Sequence, residues 1–131
     1  MSLEAFATLR EISNHIYKDL GPGFSERIYH NALLAEFRDR KIHYDTEVLY
    51  PVYYKNHSIG FIRCDIIAHL CGMPIIIEIK SIIKPNFRDN DSEYIQLQRY
   101  IDVTNIKHGI LINFPKRQDT PLAFREINDS I

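Results

Sequence analysis

A mixed α/β domain follows from three observations on this chain of 131 residues. Near the start, apolar side chains recur at three- and four-residue spacings, the period of an amphipathic helix. From about 45 to 80 the chain is rich in β-branched and aromatic residues between turn signals, which favours strands. A helical segment then separates two apolar strands, about 74–80 and 108–114, which are parallel if that helix is a crossover.

The length suits one domain with a real core. Hydrophobic residues make up 45% of the chain and charged residues 25%, an ordinary balance for a soluble globular protein. No apolar run reaches membrane-spanning length, and the opening MSLEAF lacks the regions of a signal peptide. An intracellular protein with no membrane partner is therefore expected. Cys64 and Cys71 are too few for a disulfide scaffold, complete no zinc pattern and read as free thiols. The formal net charge of -1 sets the chain apart from strongly basic nucleic-acid binders, so any such contact must be local.

Leu3, Phe6, Leu9, Ile12, Ile16 and Leu20 form the stripe of a first helix, about 3–19, which Gly21-Pro22-Gly23 stops. A second helix, about 24–40, carries Tyr29, Leu33 and Phe37 inward, with Ser25 or Gly23 as its cap. Glu26 heads the same stripe: it is either a first-turn acid favoured by the helix dipole or a carboxylate presented to the middle of the molecule.

Strands at about 45–54 and 58–69 make a hairpin around Lys55-Asn56-His57, with Pro51 marking an edge or a bulge. In the second of them, Ile62, Cys64, Ile66 and Ala68 are expected on one apolar face, and Phe61, Arg63, Asp65 and Ile67 on the other. Cys71-Gly72 turns the chain into the strand MPIIIEIK. Here Ile75, Ile77 and Ile79 point one way, and Ile76, Glu78 and Lys80 the other. Residues 81–90 read as a loop over a cleft. Asp91 or Ser92 caps a helix to about 103, buried through Tyr94, Leu97 and Ile101. A short last strand spans about 122–127, followed by a fraying end.

Three acids converge in this arrangement: Asp65 and Glu78 near the ends of neighbouring strands, and Glu26 from a helix. With the carbonyl of Ile79 they form the hard oxygen set that magnesium accepts, manganese being a possible substitute. Lys80 lies on the face of Glu78, where it can orient or deprotonate a water or stabilise charge on a phosphate. These are the parts needed to hydrolyse a phosphodiester. On the residues alone, a structural ion-pair group among Asp65, Glu78 and Lys80, or solvated charges at strand ends, remain open.

The same residues carry a resemblance. The helix, the hairpin reaching Asp65, the strand ending in Glu78-Ile79-Lys80, and the following helix and strand resemble the PD-(D/E)XK nuclease superfamily. Gly23-Phe24-Ser25-Glu26-Arg27-Ile28-Tyr29 resembles the signature of the GxxExxY protein family, and the likeness continues through Gln96-Leu97 with Tyr100 and Leu111-Ile112-Asn113-Phe114. It covers about residues 5–115. Cys64 stands where a proline is usual before the first acid. The resemblance implies a restriction-endonuclease-like core, a central mixed sheet flanked by helices. It also implies magnesium held by Asp65 and Glu78, a catalytic Lys80, Glu26 as an added helical acid, and Gln96 holding a water or the DNA strand.

The implied activity is cleavage of DNA, as an endonuclease or exonuclease in repair, recombination or genome processing. RNA is the alternative substrate, and a homodimer would extend reach over a duplex. Lys84, Arg88, Arg99 and Tyr100 are the candidate nucleic-acid contacts, although Asp89, Asp91 and Glu93 among them suit a solvated loop equally. Tyr29, Tyr94 and Tyr100 also read as packing residues. No histidine ligand motif is present, and His30 and His43 read as surface residues. A non-catalytic or partner-dependent nucleic-acid-binding protein, and a purely structural charge cluster, are the rival functions.

Overall fold

The spacing of the apolar stripes decides where the helices lie. The structure, a computed structural model, describes residues 2–83, 85 and 87–128, without the side chains of residues 2 and 3. The Leu3 side chain, Lys84 of the basic set and the chain end expected to fray thus lie outside the described residues. Helices α1 (Ser2–Leu20) and α2 (Glu26–Asp39) precede strands β1 (Tyr44–Tyr54), β2 (His57–Leu70) and β3 (Met73–Lys80). Helix α3 (Ser92–Thr104) and strands β4 (His108–Asn113) and β5 (Ala123–Asn128) complete the order.

The strands form one sheet in the order β1-β2-β3-β4-β5, antiparallel except for the parallel pair β3 and β4 that α3 connects. Two tight turns set the register. Lys55 and Asn56 both take positive φ between paired Tyr54 and His57, and Cys71 and Gly72 do so between paired Leu70 and Met73. Both have the geometry of the hairpin turn whose twist matches the strands. Pro51 lies in the edge strand β1, and the ladder shifts between Val52 and Tyr53 just beyond it.

Phe6, Leu9 and Ile12 of α1 and Tyr29, Leu33 and Phe37 of α2 pack on Ile75, Ile77, Ile110 and Ile112 from one face of the sheet. Leu97 and Ile101 of α3 cover the opposite face with Ile76 and Leu111. Each fully buried aliphatic side chain here contributes roughly 1.5–3 kcal/mol, so the two layers fix the sheet between them. Tyr94 is half-buried and packs against the α3 layer.

Strand β2 departs from the expected alternation. Cys64 packs on the α3 side with Ile67, whereas Ile66 and Ala68 face α1 and α2. The expected common face of Cys64, Ile66 and Ala68 is therefore split. The change occurs between the pairs Val48–Cys64 and Thr46–Ile66, where Glu47 stands opposite Asp65 with a φ of 52°. A positive φ breaks the two-residue alternation, and both strands change faces there.

The stretch after β3 is anchored. Phe87 is buried in the α3 layer, and the Arg125 Nη1 donates to its carbonyl at 2.7 Å. Asp91 occupies the cap position of α3, but its carboxylate accepts from the Arg88 amide at 2.8 Å and makes no cap bond.

Candidate functional site

Strand β3 delivers its charges to one side of its C-terminal end. Ile76 packs toward α3, so Glu78 and Lys80, two and four residues on, point to that side as the alternation expects. Glu78 is only 5% exposed, and its Oε1 has no hydrogen-bond partner among the described residues. Burial pushes its pKa up to about 7; the Asp65 charge adds to the rise, Lys80 opposes it and Glu26 adds again. Asp65, Lys80 and Glu26 are thus each within electrostatic reach of Glu78.

Asp65 sits at the face change of β2 and pairs with Arg63 through Nε at 3.3 Å. The Arg63 Nη1 also lies 3.7 Å from Glu47. Glu26 opens α2, whose start is capped by the Ser25 hydroxyl accepting from the Ile28 amide. The Tyr29 ring stacks on Phe114 with centroids 4.2 Å apart, and its hydroxyl donates to the Gly21 carbonyl at 2.6 Å. These contacts hold the head of α2 against the end of β4. On the far side, Asn113 fixes the exit from β3: its side chain accepts from the Ile82 amide at 2.8 Å and donates to the Ile82 carbonyl at 3.1 Å.

Glu26, Asp65, Ile79 and Ser81 line one cleft of about 470 Å³, together with Glu47, Arg27, His30 and Lys116. Lys80 and Gln96 line a shallower neighbouring cleft with Ser92 and Glu93. The Gln96 Nε2 donates to the Tyr100 hydroxyl at 3.1 Å. Burial raises the Tyr100 pKa, and the charge of Glu78 adds to the rise.

The expected residues therefore divide in two groups around Glu78, with Glu26, Asp65 and Ile79 in one cleft and Lys80, Gln96 and Tyr100 beside the other. Arg88 and Arg99 are exposed, Arg99 one helical turn beyond Gln96. Arg27, His30, Glu47 and Lys116 line the acid cleft without having been singled out for it. His30 is half-buried and not merely a helix-surface residue; its place four residues after Glu26 was the available signal. Glu47 is visible only once the hairpin register is known.

These donors fit a hard divalent cation. The carboxylates and the Ile79 carbonyl are all oxygen, and a buried carboxylate oxygen without a partner is a group that a cation compensates.

A second cluster able to coordinate a metal lies elsewhere. The ligand atoms of His43, which lies exposed just before β1 as expected, and of Asp45 and His69 are all within 4.8 Å of one another. The family model of the PD-(D/E)XK nuclease superfamily matches residues 4–125.

The chain belongs to the PD-(D/E)XK nuclease superfamily. Its mixed sheet flanked by helices is the core of that superfamily. The crystal structure of SSO0001 is similar to this PD-(D/E)XK chain, with a TM-score of 0.59 and 25% identity over 80% of this chain and 51% of that one. The chain thus spans about half the length of that protein. No curated protein matches. No helix among the described residues is long and apolar enough to cross a membrane.

Proposed function

We propose that this chain hydrolyses phosphodiester bonds of DNA with magnesium held by Asp65, Glu78 and the Ile79 carbonyl, and with Glu26 as a further acid. One observation carries the reading: the Glu78 carboxylate is buried beside Asp65 and Lys80 with an oxygen that nothing among the described residues satisfies. Burying a charge in that way costs stability, and a structural ion pair would have given the oxygen a partner.

Bound magnesium supplies charge neutralisation at the phosphate and a lowered pKa for water. The Lys80 Nζ donates to the attacking water or to a phosphate oxygen, and Gln96 orients the water or the strand beside it. Tyr100 holds the Gln96 amide in place through its hydroxyl. Ser81 and Glu26, joined by a hydrogen bond of 3.3 Å, keep the cleft wall in register with the end of β3. Arg27 and Lys116 in the acid cleft, with Arg88 and Arg99 outside it, supply phosphate contacts. Membership of the GxxExxY family and a homodimer that presents two sites to a duplex belong to the same reading.

The test is cleavage of labelled single-stranded, duplex, nicked and four-way-junction DNA, and of RNA, with magnesium, manganese or a chelator. Asp65→Asn, Glu78→Gln and Lys80→Ala should each lose metal-dependent cutting, Lys80→Ala with DNA binding retained. Cutting that survives in both carboxylate variants would sink the assignment. The near-neutral net charge favours one rival, a nucleic-acid-binding chain that acts only with a partner; it predicts binding without cutting on every substrate.

A further inference from the structure

At the end of the hairpin remote from its tip, Asp45 lies in β1, His69 in β2 and His43 just before β1. The His69 amide donates to the His43 carbonyl at 2.9 Å, which sets the two histidines directly across from each other. Asp45 follows His43 by two residues in extended chain and so shares its face. Its Oδ2 lies 3.4 Å from the His69 Nε2 and 3.8 Å from the His43 Nε2, and the two imidazole rings are 4.8 Å apart between centroids.

We propose that these three residues form a second metal site, distinct from the acid cleft, that takes a borderline transition ion of the zinc class and clips the edge strand β1 to β2. The distances support this. Ligands about 2.0–2.1 Å from a tetrahedral zinc ion are roughly 3.3–3.4 Å from each other. One pair already has that separation, and the second is within half an ångström of it. Two imidazoles and one carboxylate suit zinc, cobalt or nickel, whereas magnesium prefers oxygen donors.

The site stands apart from the nuclease residues. His69 is four residues beyond Asp65 along β2, about 13 Å at the rise of a strand. Three protein ligands leave a fourth position, and the ions' own solvent or a small ligand can fill it from the shallow cleft that Asp45 and His69 line with Val48, Ile67, Pro74 and Ile106. A bound ion would add to the backbone bonds and the Asp45–His69 contact that already hold that end, so its expected effect is on stability and edge fraying.

The experiment is titration of the purified chain with zinc, and with cobalt as a spectroscopic substitute, beside His43→Ala, His69→Ala, His69→Cys and the Asp65→Asn/Glu78→Gln double variant. The expected result is one zinc ion bound by the double variant, with a thermal midpoint raised by about 4 °C. Affinity should fall at least about tenfold in either alanine variant and return in His69→Cys, which restores a zinc ligand. Cobalt should give the visible absorption of a four-coordinate nitrogen and oxygen site, absent from both alanine variants. Zinc binding that is lost in the double variant, unchanged in the alanine variants, or detectable only at millimolar metal overturns the proposal.

Discussion

The Glu26 carboxylate accepts a hydrogen bond from the Ser81 amide at 3.3 Å, so the first turn of α2 is fastened to the chain one residue past Lys80. Glu26 is exposed but Ser81 is buried, so the bond is half-buried on the lining of the acid cleft. Glu26→Ala should therefore lower stability by about 1–2 kcal/mol, the cost of leaving one half-buried amide without its acceptor. Cleavage, on the proposed reading, should fall by about tenfold or more. Urea denaturation and rate measurements on the same preparation separate the two effects.

Glu78 gives a pH dependence with a definite sign. Its pKa is raised in the folded chain to about 7, above the 4.5 of an unperturbed carboxyl group. The folded state therefore keeps a proton that the unfolded chain has released. This contribution to stability is full below about pH 4.5 and is lost as pH rises through about 7. It amounts to something on the order of 3 kcal/mol in metal-free protein. Glu78→Gln should remove the slope and leave the metal-free variant more stable than the parent at pH 8. Magnesium requires the deprotonated carboxylate, so its affinity in the parent should rise over the same pH range. Denaturation in chelator at several pH values would contradict this if the parent and Glu78→Gln curves ran parallel.

Gly109 marks a close approach between β4 and α3. A Cβ built there would lie 3.0 Å from the Leu97 Cδ1 and 3.3 Å from the Ile101 Cδ1, both on buried side chains. Gly109→Ala should cost about 1–3 kcal/mol through overpacking. In the Leu97→Val background, where a terminal carbon is removed, the added methyl should cost much less. Additive losses in the double variant would show that the contact is not responsible.

The two thiols should differ in reactivity. Burial pushes the Cys64 pKa up to about 12, with the Glu78 and Asp65 charges adding to the shift. Cys71 is exposed in a turn. Alkylation of the folded protein at pH 8 should modify Cys71 alone, and denaturant should release the second site. Equal labelling of both in the native state would mean that the β2 and α3 layers open readily.

How far the sequence reveals these features depends on whether a local period or a long-range register decides them. Alternation alone sends Glu78 and Lys80 to the same side as Ile76, and a helical stripe puts Glu26 above Tyr29. The crossover helix makes β3 and β4 parallel. The location of Glu47 opposite Asp65 depends on hairpin register, and the departure from alternation depends on one backbone angle. His43 and His69 lie far apart in the chain, so no spacing motif signals that they meet. Phe87 sits in a polar stretch, where nothing local shows that its ring enters the α3 layer.

The changeover at Glu47 and Asp65 divides the β1–β2 hairpin into lengths of opposite parity. On the inner length, Ile66 and Ala68 serve the α1 and α2 layer; on the outer length, Val48 and Cys64 serve the other. The outer length beyond them can then be trimmed or grafted by opposed pairs of residues without changing which side chains the inner length feeds to the core. Removing one residue between Asp65 and Leu70 would instead invert the buried pattern. Variation in hairpin length should therefore accumulate on the tip side of Glu47 and Asp65, leaving the inner length free to keep one geometry against the helices while the tip changes.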